Sequence, residues 1–144
     1  MFIKDFDLGL FFKTAVAVGG SVVSYFFGGW AALLGILLAF VVFDYITGFV
    51  AAAAKGKLSS SVGLIGIAKK IFIFCIVAIA HLADQAIGTQ IIRDAAIFFY
   101  LANELLSIVE NAGRIGVPIP PAILRTVEIL EGKSKTKDSS EQGD

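Results

Sequence analysis

The sequence has few of the residues that build catalytic, redox or metal sites. Its 144 residues include one cysteine, one histidine and three prolines. A single cysteine excludes a disulfide within the chain, and we expect Cys75, which lies in an apolar run, to be a buried thiol. There is no phosphate-binding glycine loop with its lysine, no cysteine nucleophile in a polar setting and no His-x-x-x-His pair. The sequence therefore predicts no enzyme, no catalytic residue, no cofactor and no metal site.

Charge is also scarce over long stretches, and no charged residue occurs between Thr14 and Phe43. The chain carries 12 basic and 12 acidic residues, so its net charge is zero and no nucleic acid is expected as a partner. Hydrophobic residues make up 57% of the chain, and its mean hydropathy is +0.85. Since Asp5 and Asp7 lie where a signal peptide would be basic, we expect the first span to direct its own insertion. The composition predicts an integral membrane protein built as one compact unit.

Four apolar segments predict an all-α fold with four transmembrane helices. A membrane span needs about 20 residues at about 1.5 Å rise each, and the first apolar stretch, from Phe11 to Ala54, is about twice that long. The sequence Gly28-Gly29-Trp30 lies near its middle, where two glycines permit a turn and tryptophan favours the headgroup region. The predicted spans are residues 11–27, 30–54, 71–88 and 92–112.

The remaining segments suggest three regions along the chain. Residues 1–10 have a helical apolar pattern typical of an interfacial segment, and residues 11–112 form the transmembrane domain. Residues 113–144 form a cytoplasmic C-terminal segment, with a short amphipathic helix at about 121–131 that begins at Pro121. Residues 133–144 contain no apolar side chain, so we expect a disordered tail.

Four lysines predict the orientation in the membrane. Lys55, Lys57, Lys69 and Lys70 fall in a segment, residues 55–70, that we interpret as an aqueous loop. Within it, the three serines at residues 59–61 fit a helix N-cap before Val62. If this loop is cytoplasmic, both termini are too (N-in/C-in), and Arg93 alone of the 12 basic residues lies outside. A three-span alternative, in which the first segment lies in the interface, places the N-terminus outside.

Polar side chains form stripes on three of the predicted spans. The candidate residues of these stripes are Asp44 on the second span, His81, Asp84 and Gln85 on the third, and Asn103, Glu104, Ser107, Glu110 and Asn111 on the fourth. One interpretation is that they lock a closed bundle; the other is that they line a water-filled lumen in an oligomer. The two can be successive states. We expect Glu104 either to be protonated or to meet a donor across the bundle, such as His81, Gln85 or Lys70.

Two further patterns leave alternatives open. His81 and Asp84 fit a proton relay or a pair of metal ligands, but two ligands without a third do not define a metal site. Gly20, Ser24 and Gly28 follow the small-xxx-small spacing that lets helices approach closely, and Gly48 is a small residue on the polar face of the second span. The spacing does not indicate whether the partner helix belongs to the same chain.

Four segments in matching order resemble the phage-lysis and toxin-secretion holin family. They are residues 44–48 (DYITG), 57–70 (KLSSSVGLIGIAKK), 103–111 (NELLSIVEN) and 116–120 (GVPIP). The resemblance implies a protein that accumulates in the cytoplasmic membrane of a bacterium, self-associates and opens non-specific lesions. Endolysins or toxins would then leave through these lesions, so an endolysin is a partner only indirectly. The other implied partners are membrane lipids and an antiholin.

Two rival functions share much of this pattern. An antiholin that restrains another membrane protein would have the same hydropathy and polar stripes. A small proton-coupled transporter would use Asp84 or Glu104, but such proteins usually contain internal repeats, and the two halves of this chain show no convincing self-similarity.

Overall fold

A computed structural model of the chain describes residues 7–139, with side chains through Lys135. In this part of the chain all regular secondary structure is α-helix, and short turns join the helices. Its five helices are α1 (Leu8–Phe27), α2 (Ala32–Ala54), α3 (Ser60–Ile87), α4 (Ile92–Arg114) and α5 (Pro121–Ser139). Contacts join α4 to α2, α3 and α5, so α4 is the central helix. The short turns at residues 55–59 and 88–91, and the contact of Ser134 with Ala95, make α2 to α5 alternate in direction.

The first helix begins inside the predicted interfacial segment. The Asp7 carboxylate accepts hydrogen bonds from the backbone N–H groups of Gly9 and Leu10, at 2.9 and 3.2 Å, and caps α1. Positions 1–6 of the predicted segment lie outside the described residues. At the other end of α1, Gly28 has φ +74°, a left-handed conformation that ends the helix where the turn was predicted.

The predicted aqueous loop at residues 55–70 is wrong over most of its length. Ser59 lies at the predicted N-cap, but α3 then continues without interruption to Ile87. Only the turn at residues 55–59 remains outside the helices. The two later lysines do not interrupt the helix, since Lys69 projects outward and the Lys70 ammonium is paired within the bundle.

The predicted disordered tail is also wrong as far as Ser139, because α5 does not stop near residue 131. Packing against α4 supports its second half. The Ser134 hydroxyl donates to the carbonyl of Ala95 at 3.3 Å, and the Lys133 ammonium lies 5.3 Å from the ring centroid of Phe98. Residues 140–144 lie outside the described part of the chain.

The core lies between α2, α3 and α4. Its fully buried side chains are Leu37, Val77 and Ile97, one from each helix. α1 contributes no buried residue and contacts α3, where the rings of Phe27 and Phe74 meet edge to face at 6.5 Å. Cys75 is exposed on the outer side of α3, so the predicted burial of its thiol is wrong.

Three of the described helices, α1, α2 and α3, are long and apolar enough to cross a membrane. The fourth predicted span, α4, is not among them, because its 23 residues include charged side chains such as Asp94, Glu104 and Glu110. Nevertheless α4 extends beside its neighbours over most of its length. Arg93, at its start, donates to the carbonyl of Phe27, and Asn111, near its end, contacts α2.

Candidate functional site: a buried charge cluster

Asp44, Lys70 and Glu104 meet at one level of the bundle, and we refer to them as the charge cluster. Asp44 lies ten residues before the end of α2, Lys70 ten residues after the start of α3, and Glu104 ten residues before the end of α4. Because neighbouring helices are antiparallel, each residue lies about 15 Å from the same end of the bundle. That distance is about half the thickness of a bilayer core.

The Lys70 ammonium links the two carboxylates. It donates to Asp44 Oδ2 and to Glu104 Oε2, and the second bond is 2.5 Å long. The Asp44 and Glu104 side chains are only 8% and 6% exposed. The expectation that Glu104 meets a donor across the bundle is therefore confirmed, and the donor is Lys70. Buried ions need such partners, since removing one leaves an uncompensated charge.

Asn111 connects the cluster to α2. Its Nδ2 donates to Asp44 Oδ1 and to Thr47 Oγ1, both at 3.1 Å. A Cβ atom at Gly48 would lie 3.4 Å from that nitrogen, in van der Waals contact with it. Gly48 therefore lies where α2 meets the Asn111 side chain of α4.

The polar stripe of α4 divides between the interior and the surface. Glu104 and Asn111 are buried, Ser107 is half-buried, and Asn103 and Glu110 are exposed. Asn103 and Glu110 are seven residues apart and share one edge of the helix. In the single chain, then, the buried part of the stripe holds the bundle together, as the first interpretation predicted.

Asp84 has a structural partner that the sequence did not reveal. Its Oδ1 accepts from the Thr89 hydroxyl at 2.6 Å and from the backbone N–H of Ile92 at 3.0 Å, and its Oδ2 accepts from the N–H of Arg93 at 2.8 Å. Because Ile91 at the N-cap position has no acceptor side chain, Asp84 caps α4 from the end of α3.

His81 lies away from the charge cluster, against the C-terminus of α1. A Cβ at Gly28 would be 2.7 Å from its Cε1 and 2.9 Å from Nη1 of Arg93, so Gly28 brings α1 close to both side chains. The buried Nε2 of His81 has no hydrogen-bond partner among the described residues. No group of three His, Cys, Asp or Glu side chains in the described part of the chain is placed to hold a metal ion.

The other predicted site residues lie on the surface. Gln85 is exposed and outside the cluster, and Lys55, Lys57 and Lys69 are exposed. Gly20 has no neighbouring atom within 4 Å of a built Cβ, and Ser24 is exposed, so neither packs against another helix of the described chain. Thr89 and Arg93 were missed as structural residues. One sequence signal could have revealed them. Ile91, at the N-cap position of α4, has no acceptor side chain, so the first backbone N–H groups of α4 need an acceptor from another helix.

These features define a class of protein: a small membrane protein, all-helical over the described residues, with a buried ionic cluster shared by three of its helices. The chain belongs to the bacteriophage holin family, which matches residues 21–132. This is a non-enzymatic family of pore-forming membrane proteins, as the resemblance in four sequence segments indicated.

Relatives of undetermined function occur in several bacteria. A protein of Halalkalibacterium halodurans is 48% identical over 126 residues, which cover 83% of this chain and 93% of the relative. A protein of Listeria innocua is 44% identical over 133 residues, covering 92% and 95%. A 14.9 kDa protein of Clostridium perfringens is 34% identical over 125 residues, covering 85% and 95%. No solved structure is significantly similar to the chain.

Proposed function

We propose that this chain is a holin of the cytoplasmic membrane. It self-associates and forms non-specific lesions that release endolysin or other cytoplasmic proteins, in phage lysis or in toxin secretion. The observation that carries the proposal is the unequal distribution of polar side chains over the outer surface. The exposed side chains of α1, α2 and α3 are largely apolar, whereas α4 and α5 expose charged and polar groups.

The polar side requires a partner other than lipid. It presents Asn103, Glu110, Arg125, Glu128 and Glu131. A charged side chain at the centre of a bilayer costs about 2.5–3.5 kcal/mol on insertion scales, so several on one face cannot lie against acyl chains. Copies arranged with α4 and α5 inward would direct these groups to a water-filled lumen and leave α1–α3 toward lipid. We thus keep the interpretation that polar side chains line a lumen in an oligomer, but we assign that role to the exposed residues and not to the buried ones.

For the topology, we propose four helices at membrane depth, α1–α4, with the N-terminus and the turn at residues 55–59 on the cytoplasmic side. α4 is included because it lies between α2 and α3 and carries one member of the charge cluster. In the described fold α5 returns along α4, so that Ser134 lies beside Ala95 at the Arg93 end. N-in/C-in is therefore our proposal for the inserted monomer before α5 docks, and docking of α5 belongs to the assembled form.

Expression in a bacterium that lacks other lysis genes tests the function. Membrane potential and release of a folded cytoplasmic enzyme are followed after induction. We expect a delay and then an abrupt loss of both, because lesions need a critical number of associated copies. Continued growth without enzyme release, at membrane levels matched to a known holin, would contradict the proposal and favour an antiholin or a transporter.

A further inference from the structure

An open groove lies between the C-terminal half of α2 and the N-terminal half of α3, with a volume of about 700 Å³. Its walls are mainly apolar and include Tyr45, Phe49, Val62 and Ile67, and none of the described residues fills it. At its inner end the groove reaches Lys70, so it is a route by which small molecules can approach the charge cluster.

Small residues keep the groove open. Gly48 and Ala52 line it on α2, and Gly63 and Gly66 line it on α3. A Cβ built at Gly66 meets no atom within 4 Å, and one built at Gly63 meets only the Tyr45 hydroxyl, at 3.8 Å. The two helices thus do not close on each other here, and an occupant has room.

The mouth of the groove carries positive charge. Lys57 and Ser59 line it, next to the first turn of α3. Ser59 lies at the N-cap but makes no capping hydrogen bond, since its hydroxyl pairs with that of Ser61 at 2.9 Å. The first N–H groups of a helix lack partners within the helix, and they favour an anion together with a nearby lysine. The groove is therefore complementary to a molecule with an anionic head and an apolar tail.

We propose that this groove binds an anionic phospholipid, with its phosphate at Lys57 and the N-terminus of α3 and one acyl chain between α2 and α3. The volume lies within the range of about 300–1,000 Å³ common for ligand sites. The chain would cover Lys70, which is 20% exposed, and would exclude water from the charge cluster. The inference rests on the proposed membrane placement of α2 and α3, but it does not require that the protein form lesions.

Photochemical cross-linking tests the site. The full chain is reconstituted in nanodiscs with phosphatidylglycerol carrying a diazirine on one acyl chain, and cross-linked peptides are mapped. We expect cross-links to concentrate at residues 45–52 and 62–67, with a weaker signal from a phosphatidylcholine probe. Lys57→Gln should reduce the preference for phosphatidylglycerol about fivefold, the effect of one lysine near an anionic surface. Lys69→Gln, outside the groove, should leave it unchanged.

A second experiment fills the groove with a larger side chain. Gly66→Leu should remove most of the cross-linking within the groove, whereas Gly20→Leu, at an equally open position on α1, should not. Cross-links spread evenly over the apolar faces of α1–α3 would overturn the proposal. So would a photoreactive amino acid at Ala52 that captures a second copy of the chain instead of lipid. Leakage is not measured, so a failed site and a failed holin function are distinguished.

Discussion

At the scale of single residues, Lys70 has the largest predicted effect on stability. Lys70→Met would leave Asp44 and Glu104 buried, close together and without their cation. Removal of one partner from a buried ionic group costs about 3–5 kcal/mol. We expect the purified protein in micelles to unfold at a clearly lower denaturant concentration. Lys69→Met, at the adjacent exposed position, is the matched control and should change stability little.

A combined variant tests whether Lys70→Met destabilises the protein by leaving two unpaired carboxylates or by removing the packing of the lysine side chain. Neutralising all three positions, with Asp44→Asn, Lys70→Met and Glu104→Gln, should recover much of the stability lost in Lys70→Met alone, since no unpaired charge remains. If the triple variant were no more stable than the single one, the ionic explanation would be wrong.

Asp84 yields a second prediction, because its carboxylate caps α4. Asp84→Ala should destabilise the protein by about 1–2 kcal/mol in denaturant unfolding, as for other lost N-caps. Asp84→Asn should be milder, since its single amide oxygen can still accept one of the two backbone hydrogen bonds, although its amide nitrogen cannot accept the other. Gln85→Ala, on the neighbouring exposed position, serves as the control.

The same pair of variants addresses the transporter hypothesis. A proton-coupled site at Asp84 needs an ionisable group, so Asp84→Asn would abolish transport while keeping part of the cap. We expect Asp84→Asn to retain lytic activity at matched expression. Loss of all activity in a stably folded Asp84→Asn protein would argue against a purely structural role.

The sequence predicts which residues are polar and share a face, but not how they pair. Helical spacing placed Glu104 and Asn111 on one stripe, and both are buried as a stripe facing other helices requires. It also placed Asn103 and Glu110 there, although the structure exposes both. Pairing depends on the rotation of each helix about its axis, which is set by contacts between residues 26 to 67 positions apart.

At the scale of helices, the sequence predicts α1, α2 and α4 to within a few residues. For α3 it predicts the end but not the start, and for α5 the start but not the end. The lysines of α3 suggested an aqueous loop, because a lone sequence does not show that Lys70 has carboxylate partners on two other helices. In α5, the polar composition after Gly132 suggested disorder. Its helix is instead stabilised by α4, through contacts such as that between Ser134 and Ala95.

Shortening α5 tests what its second half does. A chain truncated after Gly132 loses the Lys133–Phe98 contact and the Ser134–Ala95 hydrogen bond. We expect it to insert and assemble but to change the onset of permeabilisation, measured as the time from induction to enzyme release. Truncation after Ser139, which leaves the whole of α5, should keep the onset of the full chain. Failure of the shorter chain to insert would show that α5 is needed earlier, for folding.

At the scale of the whole molecule, the two sides of the bundle need different surroundings. α1–α3 present apolar surface suited to lipid, while the exposed charges of α5, such as Arg125 and Glu128, need water. A lone copy with α5 docked along α4 would place those charges against acyl chains. On the proposed function, the docked arrangement is stable in a bilayer only where neighbouring copies enclose water, so the position of α5 is coupled to assembly.

This coupling predicts that the C-terminal end of α5 changes its accessibility when the lesion opens. In a chain with Cys75→Ser, Lys135→Cys should resist a membrane-impermeant thiol reagent in intact cells before onset, because the proposed topology then places α5 in the cytoplasm. In the proposed assembly α5 lies along α4 with Ser134 beside Ala95. Residue 135 is then near the end of the bundle that the proposed topology places outside. The cysteine should then react, in cells stopped at the first loss of membrane potential.

Lys57→Cys controls for general leakage of the reagent, since it remains in the cytoplasmic turn in both states. A reagent larger than the earliest lesions should label Lys135→Cys and leave Lys57→Cys unmodified. Equal labelling of the two positions throughout the time course would show only that the membrane had become permeable. Labelling of Lys135→Cys well before onset would mean that α5 docks in the unassembled chain. In that case its charges would need a different partner from the water of a lumen.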